Sequence, residues 1–129
     1  MKNIFYLLIA TLFIGCSSLS TKNKQLYIDE FKFRYFQLSL KKGFNNSTEI
    51  KKLLEIDKSG FSEPLLSDES YKIIDSLSNI ASYNVRQDSI NSIGKKADGS
   101  EGKLVLTKCL EDFNSKWLNS ISKIQFKKN

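Results

Sequence analysis

Hydrophobic residues between Gln25 and Phe44 recur at the spacing of a helix. Tyr27, Phe31, Tyr35 and Leu38 are separated by four, four and three positions, which places them on one helical face. A second apolar stripe on the same segment consists of Phe33, Phe36 and Leu40. A helix that is apolar on two sides is either central to its fold or pairs with a second subunit. We expect Gly43 to end this helix as its C′ residue.

Two shorter patterns predict the next helices. Asn46 followed three positions later by Glu49 has the spacing of a capping box, and the helix it opens should end at Ser59-Gly60. Ser67 then precedes Asp68 and Glu69, which suits the first turn of another helix. The inner face of that helix is predicted to carry Tyr71, Ile74, Leu77 and Ala81.

The remaining third of the chain is less regular and then strongly periodic. Residues 84–102 contain three glycines and predict a long loop, in which a short helical piece over 85–93 is possible. The clearest apolar stripe follows, and its members are Leu106, Leu110, Phe113, Trp117, Ile121 and Ile124. No alternating strand pattern competes. The chain is therefore predicted to be all-α, with four or five helices packed around one core.

The first residues have the pattern of a bacterial lipoprotein signal. Lys2 precedes an apolar run from Ile4 to Ile14, and the run ends in Leu12-Phe13-Ile14-Gly15-Cys16. About 11 apolar residues are too few for a permanent membrane span, so the segment predicts a removable signal with Cys16 as the lipidated residue. An ordinary secretory signal cleaved near Gly15 is the alternative. The predicted organisation is a signal at 1–15, a lipidated polar tether at 16–24 and one helical domain at 25–129.

Composition removes several functional classes. The chain contains no His, and Cys109 is its one Cys besides Cys16, so an intrachain disulfide between two domain cysteines and a thiolate metal cluster are both excluded. A triad hydrolase is excluded too, while a Ser-Lys or paired-carboxylate enzyme has no motif behind it. We predict no cofactor and no metal. The formal charge of +6 is scattered and concentrates only near the ends, at Lys22, Lys24, Lys123, Lys127 and Lys128, which does not favour nucleic acid as a partner.

Three segments resemble the immunity proteins that neutralise the fourth amidase family of type VI secretion systems. They are the run Gly102 to Phe113 with its Lys108-Cys109 pair, the turn Gly60-Phe61-Ser62-Glu63, and the helical segment Phe36 to Leu40. Many relatives pair two cysteines where this chain has only Cys109, so apolar packing must replace that bridge. The resemblance implies a dimeric, all-helical inhibitor that occupies the cleft of a Cys-His peptidoglycan amidase in the periplasm. The alternative is an envelope lipoprotein with an unrelated protein-interaction domain. Ser17 after the lipidated Cys suggests the periplasmic leaflet of the outer membrane.

Candidate residues for these roles follow from position and residue type. The long predicted loop and the exposed side of the preceding helix would touch the amidase, through Arg86, Gln87, Asp88, Ser89, Asn91, Lys95 and Lys96 and through Lys72, Asp75, Ser76 and Asn79. Dimer contacts are expected at Phe33, Phe36 and Phe44, with plain core as the alternative. Structural roles are expected for Gly60 with a positive φ, Glu63 as a cap, Cys109 as a buried apolar residue and Trp117 in the core.

Overall fold

The computed structural model describes residues 2–60, 65–91 and 102–128, with side chains from residue 21 onward. Five helices occupy these ranges: α1 (Lys2–Gly43), α2 (Thr48–Ile56), α3 (Asp68–Asn91), α4 (Val105–Phe113) and α5 (Lys116–Phe126). No strand occurs among them, so the prediction of an all-α fold with four or five helices is confirmed. No helix in the described part of the chain combines the length and hydropathy needed to cross a membrane.

Helix α1 is the centre of the fold, because α2, α3, α4 and α5 all pack on it. The Tyr27 hydroxyl is 2.7 Å from Ser70 Oγ at the start of α3, and the Ser82 hydroxyl donates to the Lys42 carbonyl at 3.1 Å near the other end. These two contacts show that α3 runs parallel to α1. Helix α5 runs antiparallel to α1, since Trp117 near its start meets Tyr35 and Phe126 at its end meets Tyr27.

The main core is built from aromatic side chains on α1 that pack against both aliphatic and small residues on the other helices. Tyr27, Phe31 and Tyr35 are all buried. The buried positions that face them from α3 and α5 include Ser70, Ser78, Ala81, Leu118 and Ser122. Ser78 and Ser122 donate their hydroxyls to carbonyls three residues earlier in their own helices, at 2.8 and 2.9 Å, so a small polar side chain is buried without an unmet hydrogen bond.

A second cluster joins the end of α1 to α4. Its buried members are Leu40, Val85, Val105 and Cys109, with Phe36, Ile50 and Leu54 packed around them. Gly43 lies against this cluster: a Cβ atom at Gly43 would lie 2.5 Å from Val105 Cγ1. The glycine therefore serves the close approach of α1 to α4.

That finding corrects the predicted end of α1. Gly43 is the last helical residue, and the left-handed positions are Asn45 and Asn46, with φ of 55° and 57°. The Asn46 amide donates to the Lys41 carbonyl and the Asn45 amide to the Lys42 carbonyl, which is the hydrogen-bond pattern of a Schellman turn with Asn45 at C′. The N-cap of α2 is consequently Ser47, whose hydroxyl accepts from the Ile50 amide, and not Asn46.

Two further predictions about the second half need correction. Helix α3 continues to Asn91, so the helical piece that was possible over 85–93 is the last part of α3 and not a separate element within a loop. The stripe from Leu106 to Ile124 is interrupted at Asn114-Ser115, and four of its members are exposed: Leu106, Leu110, Trp117 and Ile124. The buried set is instead Val105, Cys109 and Asp112 on α4 with Leu118 and Ser122 on α5.

Candidate functional site

A polar groove lies where the end of α1 meets the middle of α3. Its volume is about 430 Å³, and it is lined by Lys42, Asn45, Asn46, Asn79, Ser82, Tyr83 and Arg86. We call it the amide groove, because three of its seven residues are asparagines. An amide both donates and accepts hydrogen bonds, so this lining can match a peptide backbone, which offers both kinds of partner.

The Schellman turn at the end of α1 forms one wall of the amide groove. Consecutive left-handed residues hold Asn45 and Asn46 on the surface, a conformation that Asn tolerates better than most residues. The Lys103 ammonium donates to Asn45 Oδ1 at 2.9 Å and to the Gly43 carbonyl at 3.4 Å. The segment before α4 therefore fixes the orientation of this turn.

An ion pair between α1 and α3 holds the second wall. Lys42 Nζ is 2.6 Å from Asp75 Oδ1 and also donates to the Asp75 carbonyl at 3.0 Å. The hydrogen bond from Lys42 is the main cause that lowers the pKa of the Asp75 carboxyl below its usual value. Asn79 donates to the other carboxylate oxygen at 3.2 Å. Since Asp75 is exposed, the pair contributes more to geometry than to stability.

The outer face of α3 continues from the groove as an apolar and basic surface. Ile80, Tyr83 and Ile90 are each more than half exposed, and Arg86 is exposed between them. Tyr and Arg are the residue types most enriched where protein interfaces concentrate their binding energy. We call Ile80, Tyr83, Arg86 and Ile90 the α3 ridge.

The structure brings together part of the predicted partner-binding set. Asn79 and Arg86, which came from two separate segments of the sequence, share the amide groove, and Asp75 pairs with Lys42 beside it. Asp88 and Ser89 instead line a small cleft toward α4, near Lys108 and Glu111. Lys72, Ser76 and Asn91 are exposed on α3, and Gln87 is half-buried. Lys95 and Lys96 lie outside the described residues.

Of the residues that were predicted to have structural roles, some lie where they were expected and others do not. Cys109 is buried and Gly60 has a φ of 69°, so both predictions are confirmed. Trp117 is 41 % exposed, which corrects its assignment to the core; its ring meets the buried Tyr35 edge-on at 5.7 Å. Glu63 lies outside the described residues, and the lipidation prediction at Cys16 concerns a side chain that the structure does not describe.

The predicted dimer residues take part in contacts within the chain. Phe36 meets Phe113 edge-on at 5.9 Å and packs on the second cluster. The ring of Phe33 lies directly against Gly60, where any Cβ atom would collide with it. Phe44 is the most exposed of the three and the one that offers a surface to a second subunit. Dimerisation stays a prediction.

A buried polar cluster of Tyr35, Asp112 and Lys108 lies beneath Trp117. The Tyr35 hydroxyl donates to Asp112 Oδ2 at 2.7 Å, and Lys108 Nζ is 3.2 Å from Asp112 Oδ1. Burial, followed by the hydrogen bond to Asp112, raises the pKa of Tyr35 well above its usual value. Burial likewise raises the pKa of the Cys109 thiol to about 11. Both groups therefore keep their protons at neutral pH, which makes Cys109 a poor nucleophile.

One cavity was not predicted from the sequence. It measures about 500 Å³ between α1, α2 and α3, with a floor that includes Leu38, Leu54 and Ile74 and a rim that includes Arg34, Lys41 and Lys51. The Arg34 guanidinium is already bound, to Glu30 at 2.7 Å and to the Gly60 carbonyl at 3.4 Å. Within the described residues no group of three or more Cys, Asp or Glu side chains is placed to hold a metal ion.

Comparison of the chain with family models, with curated proteins and with solved structures gave no match. The resemblance to amidase immunity proteins therefore rests on the sequence segments alone and stays a prediction.

Proposed function

We propose that this chain is a lipid-anchored periplasmic protein that binds a type VI-secreted peptidoglycan amidase and blocks its active site. Three observations support the proposal: the lipoprotein-like sequence around Cys16, the sequence segments that resemble amidase immunity proteins, and the paired amide groove and α3 ridge. The sequence segments carry the proposal, since they alone point to an amidase, and the groove and ridge supply a surface that suits a protein partner.

The surface fits an enzyme cleft that holds peptides. Such a cleft is lined with carbonyl and amide groups that normally bind the peptide stems of the cell wall. Asn45, Asn46 and Asn79 can occupy those donors and acceptors, while Tyr83 and Arg86 supply the large contacts that dominate binding energy. Occlusion of this kind needs no chemistry from the inhibitor, only that the cleft is filled.

The test begins with the neighbouring genes: a reading frame there that encodes a secreted Cys-His amidase is expressed, and its inhibition by this chain is measured. We expect the two proteins to co-purify and peptidoglycan hydrolysis to stop at equimolar ratio. Tyr83→Ala and Arg86→Ala should each weaken the complex by roughly thirtyfold or more, the size of loss typical at binding hot spots. Calorimetric titration with each variant gives the affinity directly.

A matched control is available on α2. Lys52 and Leu53 are exposed there, away from the amide groove, and their alanine variants should bind as tightly as the parent. An amidase that remains fully active in the presence of the chain would overturn the proposal. Equal losses from the α2 variants and the α3 variants would place the binding surface elsewhere.

The alternative function is that of an envelope lipoprotein whose helical domain binds some other protein. The exposed α3 ridge supports this alternative equally well, because its residue types do not identify which protein binds there. Inhibition of hydrolysis, and not complex formation by itself, separates the two functions.

A further inference from the structure

The outward side of α5 combines lysines with two large apolar residues and carries no acid. Its exposed residues are Lys116, Trp117, Ser120, Lys123, Ile124 and, just past the helix, Lys127 and Lys128. At 100° per residue these seven positions fall within an arc of about 140°. Trp117 and Ile124 lie on the same line along the helix, two turns and about 10 Å apart, with the lysines of the helix to one side. We call this set the α5 face.

The C-terminal part of the α5 face lies at the end of the domain where the chain would leave for the membrane, and Trp117 lies beside Tyr35, about 12 Å further along α1. The rings of Tyr27 and Phe126 are 5.4 Å apart, so the last turn of α5 is level with Tyr27 on α1. Tyr27 is eleven residues after Cys16, about 16 Å along a helix. Lys123, Lys127 and Lys128 therefore project beside the same end of α1 that carries Lys22 and Lys24.

Acidic groups near this end belong to other helices. Asp29 is exposed on α1, and Asp68 and Glu69 are exposed in the first turn of α3, which Ser70 places next to Tyr27. Glu111 is exposed on α4. From Phe113 to Lys128 the sequence contains four lysines and no carboxylate side chain. The α5 face itself thus presents one sign of charge, although the molecule as a whole is mixed.

We propose that the α5 face lies on anionic lipid headgroups and so sets the orientation of the domain on its membrane. Lysines beside an anionic leaflet are attracted to it, and a Trp with a neighbouring Ile is suited to the boundary between headgroups and acyl chains. A polybasic surface next to an acyl anchor is a common second signal for membrane contact. This inference depends on the proposed function only for the acyl chain on Cys16, and it does not require the amidase.

Trp117 is the one tryptophan of the chain, so its fluorescence reports on this face alone. The acylated full-length chain, its acyl group verified by mass spectrometry, would be reconstituted into vesicles of phosphatidylcholine with or without phosphatidylglycerol. We expect a blue-shifted emission, with quenching by brominated lipids, in the phosphatidylglycerol vesicles only. High salt should reverse both effects, because screening removes the attraction of the lysines.

Charge reversal on α5 and on α2 gives a matched pair of variants. Lys123→Glu, Lys127→Glu and Lys128→Glu together should reduce the lipid quenching to its value in phosphatidylcholine, while Lys51→Glu, Lys52→Glu and Lys58→Glu should leave it unchanged. Circular dichroism confirms that both variants fold.

Absence of lipid quenching, equal quenching in both vesicle types, or equal loss in both variants overturns the proposal. Protection of Trp117 that arises only when the amidase is added also overturns it and assigns the face to a protein. Amidase inhibition is measured in a separate assay, so a failure of the proposed function can be distinguished from a failure of this inference.

Discussion

At the scale of single residues, Gly43 marks the closest approach of α1 to α4. A methyl group there would meet the buried, β-branched Val105, which has little freedom to move. Alanine gains about 1 kcal/mol in helix propensity, but overpacking of a core costs about 1–3 kcal/mol. We expect Gly43→Ala to lower the free energy of unfolding by about 1 kcal/mol, measured by urea denaturation.

A double-mutant cycle with Val105→Ala tests that reason. If the added methyl group collides with Val105, Gly43→Ala should cost less, or even stabilise, in the Val105→Ala background. Equal effects in the two backgrounds would show that the collision is not the cause. A Gly43→Ala protein as stable as the parent would contradict the prediction outright.

The raised pKa of the Cys109 thiol predicts a dependence of stability on alkaline pH. The thiol has an ordinary pKa of 9.0 in the unfolded chain and about 11 in the fold. The folded state therefore holds this proton more tightly, and its contribution is complete below pH 9 and lost as the pH rises toward 11. Tyr35, whose pKa is also raised, adds a loss of the same sign at higher pH.

The measurement is the free energy of unfolding as a function of pH for the parent and for Cys109→Ala. The variant should be less stable at neutral pH, because a buried atom is lost, yet its stability should fall less steeply between pH 9 and 11. If the free energy of unfolding falls equally steeply with pH in the two proteins, the Cys109 thiol is not the group that causes the loss.

At the scale of elements, the break between α4 and α5 depends on Ser115. Its hydroxyl accepts from the Leu118 amide at 3.2 Å and donates to the Asp112 carbonyl at 2.6 Å, so one side chain satisfies groups at both helix ends. We expect Ser115→Ala to lower the free energy of unfolding by about 1 kcal/mol, as for other N-caps. Ser120→Ala, within α5 and exposed, is the control and should change stability by less than about 0.5 kcal/mol. Equal effects from both would argue against a capping role.

At the scale of the whole molecule, the helices differ in how firmly they are held. Helix α2 buries none of its residues, and both Leu53 and Ile56 are exposed, whereas α1 contributes most of the buried aromatic side chains. Local opening of α2 should therefore cost much less free energy than global unfolding. We expect the amides of 51–56 to exchange roughly a hundredfold faster with solvent deuterium than those of 31–40. Equal protection of the two segments would contradict this picture.

The candidate site could be predicted from the sequence only in part. Asn79 was found because α3 has a recognisable polar side and Arg86 because it lies in the predicted 84–102 loop, and the structure places both in one groove. Asn45 and Asn46 were missed, since a glycine two residues earlier offered a simpler helix end. Tyr83 was missed because residues 84–102 were predicted as a loop, so the outer face of α3 was not followed past Ala81. The adjacent Asn pair was the one signal that could have found the turn.

The periodicity of apolar residues by itself determined the helical class, α1 from Gln25 onward, the presence of α2 and the start of α3, while the turn between α1 and α2 was decided by the structure. The composition also removed histidine chemistry. Only the tertiary structure decided which faces are buried on α4 and α5, where Cys109, Asp112 and Ser122 lie inside while Leu106, Leu110 and Trp117 lie outside. The reason is that buried serine and aspartate side chains meet their hydrogen bonds inside the fold, Asp112 with Tyr35 and Ser122 with the Asn119 carbonyl, whereas a hydropathy pattern counts both residue types as exposed.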